Sequence, residues 1–105
     1  MDSVIMEEAV LRSVAGALAV RVAAIEHVRG SCGMTALAAV EVEVSGLAMV
    51  VQGIRVVRAP GGGLCCLPPA FRHPDGRWMP AVMVSSELSE MISAAVLKAM
   101  PRGTP

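Results

Sequence analysis

Val40-Glu41-Val42-Glu43-Val44-Ser45-Gly46-Leu47-Ala48-Met49-Val50-Val51 is the stretch that sets the architecture. Valine and glutamate alternate with the period of two that sends successive side chains to opposite faces of a strand, so one face is buried and the other wet. A sheet with one wet face is antiparallel, because parallel sheets are covered on both sides. Ser45-Gly46 then reads as a two-residue hairpin turn, in which Gly accepts the positive φ that tight hairpins demand. With that loop length Val44 faces Leu47, Val42 faces Met49 and Val40 faces Val51, all expected on the buried face. The parity then breaks: Ile54 and Val56 are apolar, while Arg55 falls where a core residue belongs. A bulge at Gln52-Gly53 accounts for this, since one inserted residue returns Ile54 and Val56 to the core and turns Arg55 outward.

Upstream, Val20, Val22 and Ala24 alternate with Arg21 and Ala23 across residues 18–28, a first strand closed by Arg29-Gly30-Ser31-Cys32-Gly33. Before it, Val4, Ile5, Val10, Leu11 and Val14 have a spacing that suits a helix over residues 2–17. Downstream, Ala59-Pro60-Gly61-Gly62-Gly63 is a loop and residues 64–67 a short strand, which Pro68-Pro69 stops by removing backbone donors. His73-Pro74-Asp75-Gly76 is a second turn, leading into residues 77–84. There Trp78, Val82 and Val84 share a face and Pro80 argues for an edge strand. Ser85 or Ser86 caps a helix whose Leu88, Met91, Ile92, Ala95 and Val96 form an apolar stripe, and Pro101 and Gly103 end it. The expected fold is α+β: an antiparallel sheet of about five strands with a C-terminal amphipathic helix. Residues 18–100 make one domain, residues 1–17 an N-terminal extension and residues 101–105 a tail.

The chain has 105 residues, of which 17% are charged and 54% hydrophobic. Ordinary domains carry about 25% charged residues. The apolar surplus exceeds what one small core requires, which predicts a dimer or larger assembly with an apolar contact. Three cysteines, two of them adjacent, do not form a disulfide framework. Asp2, Glu7 and Glu8 stand where a secretory leader would be positive, and charge-free runs fall short of a membrane span, so a cytoplasmic location is expected.

Most chemistry-bearing residues have a plain structural reading. Cys65-Cys66 with His73 matches no zinc spacing, and the two thiols read as small hydrophobes, whereas Cys32, in a glycine loop, is the better exposed thiol. The triple glycine precedes no helix and is no phosphate cradle. A triad of Ser85 or Ser86, His27 or His73, and Asp75 fails because the serines stand where a helix needs caps and Asp75 where a turn needs Asp. No enzymatic activity, cofactor or metal is expected. Trp78 is expected to anchor the core or a subunit interface. What remains is Arg72, His73 and Arg77 flanking the Pro-Asp-Gly turn, with Arg55 and Arg58 on the outward face of an adjoining strand, a candidate surface for a phosphate backbone. No aromatic platform stands with these basic residues, which counts against a single-strand surface of the usual kind. Net charge is zero, so no whole-molecule field advertises nucleic acid.

The ordered set Gly53-Ile54-Arg55-Val56-Val57, a glycine loop, a strand ending in Pro69, Arg72 before Pro74-Asp75-Gly76, Trp78, and Ser85-Ser86-Glu87-Leu88 through Ile92 to Ala95-Val96-Leu97 resembles the stage V sporulation protein G (SpoVG) family. The resemblance covers roughly residues 20–99. It implies a small α+β homodimer that binds DNA and RNA as a bacterial regulator of expression, septation and development, without enzymatic activity. It places the binding surface at Arg72 and at the helix start, Ser85 and Ser86. The chain departs from the family where the loop is commonly rich in Lys and Arg, having Ala70-Phe71-Arg72-His73, and in the first helical turn, where Glu87, Ser89 and Glu90 replace basic residues. Those departures set the alternative expectation: a protein-interaction module on the same fold, with nucleic-acid binding lost.

Overall fold

The computed structural model describes residues 10–12, 17–31 and 33–101 and arranges them as seven strands followed by one helix. Strands β1 (Val10–Arg12), β2 (Leu18–Ser31), β3 (Met34–Val44), β4 (Leu47–Arg58) and β5 (Leu64–Leu67) form one antiparallel sheet in sequence order. Strands β6 (Ala70–Arg72) and β7 (Trp78–Pro80) form a separate antiparallel pair, and helix α1 spans Ser86–Ala99. The α+β class, the antiparallel sheet of about five strands and the C-terminal helix are those expected, but the fifth strand of the sheet is Val10–Arg12 and not the segment 77–84. No described helix is long and apolar enough to cross a membrane.

The β3–β4 hairpin has the expected register, with Val44 opposite Leu47, Val42 opposite Met49 and Val40 opposite Val51. Ser45 and Gly46 take φ of 49° and 88°, the pair of positive values of a type I′ turn, whose twist matches that of the flanking strands. The bulge is also where expected: Val40 pairs with Val51 and Ala38 with Ile54, so Gln52 and Gly53 together face Ala39. A second bulge lies across the same central residue, since Val22 pairs with Val40 but Ala24 with Ala39, leaving Ala23 as the extra residue of β2. The alternation of Val20, Val22 and Ala24 therefore stops at Val22, and Ile25 rather than Ala24 packs against the core. Two bulges flanking Ala39 bend all three long strands at one level and increase their twist.

Gly53 takes φ of +81°, and a Cβ there would lie 3.4 Å from the Pro69 Cβ, so the backbone and not the space demands glycine. Gly53→Ala is expected to cost about 1–2 kcal/mol for the left-handed conformation, read as a lowered urea midpoint with an unchanged slope.

Helix α1 crosses the bent sheet, packing on β5, β3, β2 and β1. Ile92, Ala95 and Val96 are buried beneath it with Val20, Ala36, Ala38, Val40, Val42, Val51, Ile54 and Val56. Leu47 and Met49 share the buried parity yet are 78% and 57% exposed. A helix about 10 Å wide cannot cover strands about 40 Å long, so the Ser45-Gly46 end extends beyond its cover. The expected burial of the whole hairpin face is corrected to that extent.

The helix expected over residues 2–17 is corrected at its described part. Val10–Arg12 is strand, with Val10 opposite Arg21 and Arg12 opposite Ala19, because pairing with the free edge of β2 supplies ladder hydrogen bonds that a short terminal helix lacks partners to stabilise. Residues 2–9 and 13–16 of that segment lie outside the described residues, as do Cys32 and Gly103, and Ala17 is a bend.

Candidate nucleic-acid interface

The strand expected over residues 77–84 is only Trp78–Pro80, and its partner is Ala70–Arg72, a segment with too few residues to read as a strand. Pro80 has no N–H to continue the ladder, and Ala81 N donates to Pro69 O at 2.8 Å to close the base of the arm. At the tip, Gly76 N donates to His73 O at 2.8 Å and His73 N to Arg77 O at 2.7 Å, while Gly76 takes φ of +97°. This is a turn over Pro74-Asp75 followed by a left-handed glycine, the usual construction of a three-residue hairpin loop. Proline presets φ at the first corner, and the Asp75 carboxylate accepts the Arg77 amide at 2.9 Å.

The register sets the chemistry of the arm. Phe71 pairs with Met79 and Arg72 with Trp78, so the arginine and the tryptophan stand side by side on one face. The Arg72 guanidinium carbon lies 5.6 Å from the Trp78 ring centroid, within cation–π range. Trp78 is 64% exposed and Phe71 47%. Of the two places expected for Trp78, the core is therefore corrected, whereas an exposed ring is compatible with a subunit interface; the expected lack of an aromatic side chain beside the basic residues is corrected by the Arg72–Trp78 pair. A sequence signal for both existed: residues 72 and 78 are equidistant from Asp75, so a hairpin closing on Pro74-Asp75-Gly76 must set them opposite each other.

Charge at the tip is largely internal. Arg77 Nε donates to Asp75 Oδ2 at 2.6 Å, and His73 Nδ1 lies 3.0 Å from Asp75 Oδ1. The amide of Arg77, followed by its guanidinium and His73, holds the Asp75 carboxyl below its ordinary range. Arg77 thus brings a cation to the tip already paired with a carboxylate.

Of the remaining candidates, Arg55 is committed, donating from Nε and a terminal guanidinium nitrogen to Pro68 O at 3.3 and 2.9 Å, which ties β4 to the base of the arm. Arg58 lies opposite Leu64 with the parity of Val56, so it shares neither the face of Arg55 nor the neighbourhood of the arm. Its expected place on the outward face is corrected. Ser85 is the N-cap, its Oγ accepting from Leu88 N at 3.2 Å, and Ser86 opens the helix beside Glu87. Among the described residues no hydrogen bond or ion pair joins either serine to the arm. His73 and Arg77 meet at Asp75 on the tip, one rung beyond the Arg72–Trp78 pair and with the opposite parity; Arg55, Arg58, Ser85 and Ser86 do not join either group. Ser85→Ala is expected to cost about 1 kcal/mol of stability through removal of the cap while leaving any affinity of the arm unchanged, as thermal unfolding beside a binding titration would read.

Other chemistry finds no assembled site. Among the described residues no group of three or more His, Cys, Asp and Glu can hold a metal ion. Cys65 and Cys66 are free and half-buried, on opposite faces of β5. Burial pushes the Cys66 thiol up, against a hydrogen bond with Ser93 that lowers it, so it stays a protonated packing group. The cleft it lines with Val51, Ile54, Val82 and Ile92 has about 50 Å³ of free volume, far below the several hundred that a metabolite needs. A wider hollow of about 550 Å³ on the outer sheet face, between the two bulges, is open and lined by Ala24, Ala39 and Gly53 with one carboxylate, Glu26. Comparison of the chain with family models, with curated proteins and with solved structures gave no match.

Proposed function

We propose that this is a small, non-enzymatic, homodimeric regulator of the bacterial cytoplasm, similar to the SpoVG family, that binds DNA or RNA through the β6–β7 arm. The observation carrying this reading is the arm itself, which puts Arg72 against an exposed Trp78 beside His73 and Arg77, on an element packed chiefly on itself. Phosphate contacts from the arm would position the nucleic acid rather than read its sequence. The exposed Val44, Leu47 and Met49, continuous in parity with the core, support the dimer. Titration of the purified chain against mixed DNA and RNA fragments at low salt is the test. Binding in the micromolar range is expected, and none at tens of micromolar overturns the reading.

The alternative, a protein-interaction module on the same fold, is favoured by the commitment of Arg55 to Pro68 O and of Arg77 to Asp75, and by Glu87 in the first turn of α1. It predicts a stoichiometric protein partner recovered from the native host and insensitive to nuclease.

A further inference from the structure

We infer that Trp78, with Arg72 against it, is a stacking platform for an unpaired base, so that the arm selects single-stranded nucleic acid over duplex; this rests on the nucleic-acid reading above. Three observations converge on it. First, the ring is 64% exposed although the fold has an apolar core in which to bury it, and with the Arg72 guanidinium 5.6 Å from its centroid on one side, that much exposure leaves the opposite side open to a flat partner. Second, Arg72 is held at the ring, where the phosphate of a nucleotide stacked on Trp78 would come within its reach. Third, the arm is poor in free charge: Arg77 is paired with Asp75, and among the described residues Arg72 is the arginine of the arm with no carboxylate partner. Duplex binding through phosphates needs several cations acting together, because each contributes a modest, salt-sensitive share. A π-face adds affinity without charge, but it is offered a base only where bases are not already stacked in a duplex.

The chain has one tryptophan and no tyrosine, so its emission reports on this site without background. The experiment titrates the full chain with a short oligothymidylate, and with one mixed sequence as single strand and as duplex, following Trp78 emission and the anisotropy of a labelled strand. Single strands are expected to quench Trp78 and to bind more tightly than the duplex. Trp78→Ala is expected to weaken single-strand affinity roughly 5- to 150-fold, the range for removal of one stacked base, with Trp78→Phe intermediate. Far-UV circular dichroism of both variants is expected to match the parent, since the ring is exposed. Equal binding of single strand and duplex, unquenched emission and an unaffected Trp78→Ala variant would overturn the stacking platform and leave nucleic-acid binding standing. Absence of binding to every strand would overturn both.

Discussion

Ala95→Asp is expected to leave the chain unfolded at neutral pH, whereas Ala94→Asp, one position earlier on the same helix, folds like the parent. Ala95 is fully buried in α1 and Ala94 is exposed, so the two variants share composition and charge and differ only in the face they alter. Among the described residues no buried side chain is polar or charged, so the core beneath α1 offers a carboxylate at position 95 no buried cation or donor. Such a group either stays charged at a cost of several kcal/mol or takes up a proton, and a shift of about 3 pKa units costs about 4 kcal/mol at neutral pH. The extra volume in a packed site adds about 1–3 kcal/mol. A domain of this size has on the order of 5–15 kcal/mol of stability in total. Asp at position 94 costs helix propensity, below about 1 kcal/mol. Far-UV circular dichroism and urea titration of the pair decide the matter, and equal stability would mean that α1 does not pack on the sheet through this face.

The contrast between neighbouring alanines was legible in the sequence because Leu88, Met91, Ile92, Ala95 and Val96 repeat with helical period, and the β3–β4 hairpin because Val40, Val42 and Val44 repeat with period two. The Gln52-Gly53 bulge announced itself twice, by a glycine and by the misplaced parity of Arg55. Its counterpart at Ala23 had no such mark: two consecutive alanines suit either face, so the shift from Val22 to Ile25 cannot be located from residue types. Periodicity also assigns a residue to a face without saying how far the cover extends. Leu47 and Met49 therefore read as core, although the cover of α1 does not reach them. At the candidate site the failure was one of partners. Asp75, read as a turn former, also neutralises Arg77; Arg55, read as a phosphate ligand, ties down Pro68; and Trp78, read as an anchor of the core or of a subunit interface, lies outside the core against Arg72. Local sequence says which groups carry charge, but whether a charge is free depends on the register of a hairpin with strands of three residues, too short to show any period.

That register predicts opposite effects from two substitutions at the arm. Arg72→Glu is expected to weaken nucleic-acid binding at least tenfold, and Asp75→Asn to strengthen it by roughly fivefold, about 1 kcal/mol. Reversal at position 72 removes the cation at Trp78 and puts a carboxylate in the path of the phosphates, so the slope of log affinity against log salt should flatten by about 0.7 for each single-strand phosphate that Arg72 no longer neutralises. Asparagine at position 75 keeps a side-chain oxygen to accept the Arg77 amide, so the turn persists, but it no longer neutralises the guanidinium that lies 2.6 Å from the carboxylate. The freed arginine should steepen the same slope by a similar amount. Acidification does not substitute for the mutation. The Asp75 carboxyl is held below its ordinary range, first by the Arg77 amide, so its support of the turn is fully present above the unfolded carboxyl pKa and fades only as pH falls through the lower folded value. Arg77 therefore loses its partner only at a lower pH than an ordinary carboxylate would allow. Binding titrations at several salt concentrations, for both variants and the parent, read each sign independently. A stronger Asp75→Asn variant with an unchanged slope would show that the carboxylate acts on binding other than by masking Arg77.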